Sequence, residues 1–290
     1  MYMDYKTILI TGSTDGIGKV TAKALAKQGH RIIVHGRNAE KAAATCTEIK
    51  NETGNVNVDF LIADLLLLSD IKQMAADLKA KYKRLDILIN NAGAVFGKNR
   101  ELTREGLEKT MTLNVFAPML LSYLLLDLLA QSPAARIVNV ASAAHKMGGK
   151  PDLNDIQLTK KYSFSAAYGQ SKLYMIWLTQ HLAEELKKKG ILNITVNSLH
   201  PGMIKTDFGQ NTDKGWFGNL LFKMAVPMFG ITPQQGAETT IYLATSKEVE
   251  NVSGKYFSKK KVDKPDTRFY SQENEQLVWD YTMRIIKPYL

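Results

Sequence analysis

A tyrosine and a lysine stand four residues apart in the segment Tyr168-Gly169-Gln170-Ser171-Lys172, with Ser142 upstream and Pro201-Gly202 downstream. On a helix that spacing puts both side chains on one face, so the ammonium can sit close to the phenol. A phenol with an ordinary pKa of about 10 is a poor proton donor or acceptor near neutrality, and a neighbouring cation favours its phenolate. The pair therefore points to proton transfer at an oxygen atom, with Lys172 tuning Tyr168. Pairs at this spacing are also common on solvated helix faces, so the reading depends on what the rest of the chain supplies.

A second chemical feature is Thr11-Gly12-Ser13-Thr14-Asp15-Gly16-Ile17-Gly18, which lies between a β-branched apolar run at Lys6 to Thr11 and an amphipathic run at Ile17 to Gln28. Between a first strand and a first helix, such a turn meets the pyrophosphate of a dinucleotide at the helix N-terminus. Glycines there let the backbone approach closely. The spacing is T-G-x-x-x-G-x-G and departs from the commoner G-x-G-x-x-G, so position in the fold carries the argument. A carboxylate at the end of the second strand would select NAD. Here His35-Gly36-Arg37-Asn38 offers Arg37, and Lys19 follows the last glycine. Two cations and no carboxylate suit a 2′-phosphate, so the expected cofactor is NADP, with NAD the weaker alternative.

The elements that must position these groups alternate along the chain. Strand patterns at Lys6 to Thr11, Arg31 to His35, Val56 to Ala63, Leu85 to Asn90, Arg136 to Ala141 and Ile191 to Ser198 are separated by helical patterns. These helices run over Ile17 to Gln28, from Asn38 to about Lys50, over Ser69 to Lys81 with Ser69 as cap, Arg104 to Ala130, and Ser165 to Lys189. The alternation predicts a single α/β domain spanning 1–290, a doubly wound Rossmann-type parallel sheet with helices on both faces. Pro118 predicts a kink in the 104–130 helix. From about 201 to 232 the pattern lapses into glycines, prolines and aromatics including Trp216, Phe217, Phe222 and Phe229. A long apolar irregular segment is expected to be a substrate lid, which implies an apolar substrate. A helix at Pro233 to Thr245, a short strand at Gly254 to Phe257 and a terminal helix at Gln272 to Ile286 complete the reading.

Composition narrows the classes. The net charge is +10 in 290 residues, but the basic runs Lys187 to Lys189 and Lys259 to Lys261 lack interleaved aromatics, so no nucleic-acid partner is expected. The single Cys46 excludes an intrachain disulfide. His30, His35, His145, His181 and His200 are scattered, so no metal site is expected. The stretch Pro118 to Ala130 contains Asp127 and is shorter than the roughly 20 residues of a membrane helix. With no signal-like N-terminus, a cytoplasmic location without a transmembrane segment is expected.

Taken together, the glycine turn, Asn90-Asn91-Ala92-Gly93, Asn114, Ser142, Tyr168 with Lys172, and Pro201-Gly202 occur in the order of the short-chain dehydrogenase/reductase family, which the chain resembles from about Lys6 to Phe257. Ala141-Ser142-Ala143-Ala144-His145, Ala167 to Leu173, Leu199-His200-Pro201-Gly202 and Val252 to Phe257 look like its retinol dehydrogenase branch, which typically uses NADP. The resemblance implies Tyr168 as general acid/base, Ser142 as donor to the substrate oxygen, and Lys172 at the nicotinamide ribose. It implies Asn114 as holder of a water leading from the lysine to solvent. It also implies Asp64 and Leu65 beside the adenine, Asn91, Ala92 and Gly93 along the adenosine ribose, and Thr206 at the carboxamide. Asp64 reads equally as a turn cap, and His145 as a loop histidine or a residue facing substrate. The expected activity is NADP-dependent hydride transfer to or from an apolar ketone, aldehyde or alcohol. The alternatives are a catalytically silent NADP(H)-sensing protein and an isomerase using the cofactor transiently. In this family the helices at 104–130 and 165–189 usually form a four-helix interface, so the apolar run Leu120 to Leu129 could pair with a second copy in a homodimer or simply cover the sheet.

Overall fold

The computed structural model describes residues 5–202 and 231–290. Its centre is one eight-stranded sheet in the order β3-β2-β1-β4-β5-β6-β7-β8. The strands are β1 (Thr7–Ile10), β2 (Arg31–Gly36), β3 (Val58–Ile62), β4 (Ile87–Asn90), β5 (Ala135–Val140), β6 (Ile194–Leu199), β7 (Tyr256–Ser258) and β8 (Lys261–Val262). All pairings are parallel except β7 with β8, an antiparallel edge hairpin that the sequence pattern did not reveal. β1, β4, β5 and β6 are buried at every position. Strands covered on both faces read as continuous apolar runs, which is why these segments were legible.

Helices α1 (Gly16–Lys27), α2 (Ala39–Thr53) and α8 (Pro233–Thr245) cover one face, where Leu25, Ile49 and Leu243 pack on Ile8, Ile10 and Val138. Helices α3 (Leu68–Lys81), α5 (Ala117–Leu124), α7 (Phe164–Lys188) and the terminal α9 (Gln272–Ile286) cover the other. The strand order reverses between β1 and β4, so the carboxyl ends of those strands open the crevice where this architecture binds ligands.

Two expectations change. Ser69 does not cap α3: the N-cap is Leu67, and the orphan N–H groups of Leu68 and Ser69 are instead taken by the Glu105 carboxylate at 2.7 and 3.1 Å. The long helix from Arg104 begins later. Gly106 at φ +78° turns the chain, Leu102 bridges Glu108, and the buried Glu108 carboxylate caps a short helix α4 (Lys109–Met111) by accepting from the Thr110 and Met111 N–H groups. A π-helical turn, Thr112–Phe116, then leads into α5, and the chain breaks again at Leu125 before α6 (Leu126–Ala130). Pro118 cannot donate to the Asn114 carbonyl, and the wider turn just before it takes up the fault that the sequence placed there as a kink.

The terminal helix packs on the two helices in question for pairing with a second copy. α9 lies across α5 and α7 of its own chain, burying Val278, Trp279 and Ile286 in the same cluster as Leu120 and Trp177. Trp279 stacks on His181 with ring centroids 3.9 Å apart, and His181 pairs with Glu275. Among the described residues no helix is long and apolar enough to cross a membrane.

Candidate active site

The glycine turn is held from three sides. The Thr11 hydroxyl accepts from the N–H groups of Asn91 and Ala92 at 3.0 Å each, and the Asn91 amide donates to the carbonyls of Thr11 and Gly12 at 2.9 and 3.1 Å. β1 and β4 are thereby locked together just beyond their last paired residues. His35 closes the other side: its Nδ1 accepts from the Gly12 N–H at 3.1 Å and its N–H donates to the Ser13 hydroxyl at 3.0 Å.

The approach is close enough to demand glycine. A Cβ on Gly18 would stand 2.4 Å from the Gly12 carbonyl and 2.5 Å from the Asn91 amide nitrogen. Gly12 itself has φ +62° and faces the Ala92 backbone. Asp15 caps α1 through the Gly16 N–H, with Ile17 in the first turn. The Gly36 backbone abuts Thr14, where a Cβ would come within 2.6 Å of the Thr14 methyl. These crowded glycines at a helix N-terminus fit a dinucleotide's pyrophosphate.

Arg37 is exposed at the end of β2 with no ion pair among the described residues. Lys19 pairs with Glu48 of α2 at 2.6 Å and is close enough to Asp15 for its charge to help hold that carboxyl low. Lys41, which the sequence did not single out, reaches back to Asp15 at 2.6 Å and brings a second cation to the mouth of the turn. Asp64 closes the turn before α3, accepting from the Leu66 N–H at 3.1 Å, while the Leu65 side chain is buried in the core.

Farther along the crevice, Asn114, Ser142, Tyr168 and Lys172 converge. The Ser142 hydroxyl accepts from the Ala144 N–H at 3.1 Å, and it is hydrogen-bonded to Tyr168. Lys172, buried, donates to the Val140 carbonyl at 2.9 Å and lies 5.7 Å from the Tyr168 ring centroid. The Asn114 amide is fixed by both polar groups of Ala94 and by the Ser171 hydroxyl, each at 3.1 Å. Gly93 lies between them: a Cβ there would stand 3.0 Å from the Lys172 Nζ and 3.1 Å from the Asn114 Oδ1.

Burial dominates the electrostatics of this cluster. It pushes the Tyr168 phenol up to about 12, against a smaller opposite pull from Ser142, and pushes Lys172 down to about 8. Gly148 and Gly169 bring the loop after Ser142 against α7, where a Cβ on Gly169 would meet the Gly148 nitrogen at 2.5 Å. Pro201 and Gly202 follow β6, Gly202 with φ +96°. Thr206 and the 203–230 part of the expected lid lie outside the described residues. Among the described residues no group of three or more His, Cys, Asp or Glu could hold a metal ion.

A phosphate-accommodating turn and a Ser–Tyr–Lys cluster along the carboxyl ends of a doubly wound parallel sheet define a nicotinamide-dinucleotide oxidoreductase acting on CH–OH groups. Residues 6–215 match the short chain dehydrogenase family. Retinol dehydrogenase 13 of Homo sapiens is 37% identical over 286 residues, covering 97% of this chain and 84% of that one. Polyprenol dehydrogenase of Homo sapiens is 38% identical over 278 residues, covering 94% and 83%. Among solved structures, an RhlG/NADP active-site complex from Pseudomonas aeruginosa is 28% identical and superposes with a TM-score of 0.67, covering 87% of this chain and 93% of that one. The chain belongs to the short-chain dehydrogenase family, in its retinol dehydrogenase-like branch.

Proposed function

We propose that the protein is an NADP-dependent oxidoreductase that transfers hydride between the nicotinamide and an apolar aldehyde or ketone, or the corresponding alcohol, with Tyr168 as general acid/base. The observation that carries this is the convergence of Ser142, Tyr168, Lys172 and Asn114 around Gly93. Gly12 to Gly18 and Asn91 to Gly93 would hold the dinucleotide, which would supply or accept hydride at the substrate carbon. The chain's own residues manage the oxygen. Ser142 donates a hydrogen bond to it as negative charge develops, and Tyr168 delivers the proton that completes the alcohol. In the oxidising direction Tyr168 takes that proton back. At neutral pH burial keeps Tyr168 protonated, the state that carbonyl reduction needs, while Lys172, lowered to about 8, stays mostly charged in spite of its burial.

NADP is favoured over NAD by Arg37 and Lys41 at the adenosine end, where no carboxylate ends β2, and by the NADP in the similar RhlG structure. An apolar alcohol is favoured by the two relatives, named for retinol and polyprenol. The test is NADPH consumption with long-chain apolar aldehydes, and its reverse with the alcohols, for the wild type and Tyr168→Phe. The expected result is turnover that falls roughly 10²–10⁴-fold in the variant with NADPH affinity kept. Tight NADPH binding by both proteins with no turnover in either direction would instead support a silent NADP(H)-sensing protein.

A further inference from the structure

Beyond the tetrad, one buried side chain touches the Ser142 loop and the C-terminal segment at once. The Asp266 N–H donates to the His145 Nε2 at 3.0 Å, so that nitrogen carries no proton. The proton is therefore on Nδ1, which donates to the Ser142 carbonyl at 2.7 Å. The ring is buried and packs edge-on against Tyr256 of β7, with centroids 5.2 Å apart. Both ring nitrogens are thus used within the protein, and His145 has no free nitrogen to offer a substrate.

A second contact runs parallel to the first. Arg268 donates from Nη2 to the Lys146 carbonyl at 2.7 Å and chelates the Asp266 carboxylate through Nε and Nη2. The last two residues of the short helical turn Ala143–Lys146 are therefore tied to residues 266–268, and the His145 ring carries the tie on to the Ser142 carbonyl. Ser142 caps that turn, its hydroxyl accepting from the Ala144 N–H. A shift of the turn would move the donor away from Tyr168.

We infer that His145 is a positioning residue: through its two ring nitrogens the C-terminal segment holds Ser142 at the substrate oxygen. The inference rests on the oxidoreductase reading above. Three variants separate its parts. His145→Phe keeps the ring packing and loses both bonds, His145→Asn places an amide nitrogen near the Nδ1 position, and His145→Gln places an amide oxygen near the Nε2 position.

The measurements are kcat and KM, NADPH affinity, and hydrogen exchange of the amides from Ser142 to Met147. The expected result for His145→Phe is a kcat about tenfold lower, the scale of one lost hydrogen bond, with KM and NADPH affinity within twofold and faster exchange in the turn. Neither His145→Asn, which keeps only a donor to the Ser142 carbonyl, nor His145→Gln, which keeps only an acceptor for the Asp266 N–H, is expected to recover kcat or exchange protection. Unchanged exchange in His145→Phe, or full recovery by either single-ended variant, overturns the inference whether or not a substrate has been found. Full turnover by Tyr168→Phe in the same assay would overturn the functional reading while the exchange result still judges the strut.

Discussion

The Nδ1 of His35 accepts the Gly12 N–H at 3.1 Å while its Nε2 faces the Ala63 carbonyl at 3.3 Å, so a neutral histidine joins the phosphate turn to the end of β3. Only the tautomer with its proton on Nε2 makes both bonds, because the Gly12 N–H can act only as a donor.

That arrangement predicts acid lability of the cofactor site. Burial pushes the His35 pKa down to about 4 from an ordinary 6.5, with the nearby Arg37 charge acting in the same direction and Asp64 opposing. A depressed histidine pKa means that the unfolded chain binds the proton first as the pH falls. Stability contributed by neutral His35 is therefore present above pH 6.5 and is lost as the pH drops towards 4, up to about 3 kcal/mol by linkage. Urea unfolding at pH 7, 5.5 and 4.5 should show a decline that is shallower in His35→Asn. NADPH affinity should weaken over the same interval.

Cofactor choice should turn on the exposed adenosine end. Arg37→Asp places a carboxylate where a ribose 2′-hydroxyl would be bound and a 2′-phosphate repelled. Titration with both dinucleotides should show the NADPH preference reversed. Lys41→Ala should weaken NADPH several-fold and leave NADH nearly unchanged. Its pair with Asp15 is exposed, and such pairs contribute at most about 1 kcal/mol, so Lys41 is readily redirected to a phosphate. Equal affinities for both dinucleotides in the wild type would remove the basis for the NADP assignment.

The terminal helix should keep the protein from pairing through α5 and α7. Light scattering of the purified chain is expected to give the monomer mass. Trp279→Ala, which removes a nearly buried ring stacked on His181 and packed near Tyr123, should cost about 3–5 kcal/mol and expose the apolar face. Concentration-dependent association in that variant, absent from the wild type, would support the covering role. A wild-type dimer whose hydrogen exchange is protected on the outer surface of α9 would restore a homodimer, by a different interface.

The sheet and the site were unequally legible beforehand. The central strands were plain because burial on both sides leaves no polar alternation, and glycines at Gly12 and Gly18 mark a turn that no larger residue could make. Pro118 marked the fault at the π turn, but the late start of the 104–130 helix was not visible. It depends on Gly106 and the buried Glu108 cap, and each could stand in a continuous helix if read by periodicity alone. Ser69 resembled a cap by residue type, yet the acceptor came from Glu105, 36 residues away.

By itself the sequence determined the local chemistry: the Tyr168–Lys172 spacing, the glycine turn, the alternation that makes the sheet parallel, and the membership of a family. The rest required tertiary structure, because it concerns distance and desolvation. Burial raises Tyr168 and lowers Lys172, which their spacing alone does not reveal. Lys19 pairs with Glu48 and Lys41 with Asp15, partners that only packing brings together. His35 and His145 are indistinguishable in the sequence from any other histidine. Each becomes part of the site because the fold brings a backbone donor to one ring nitrogen and a carbonyl to the other.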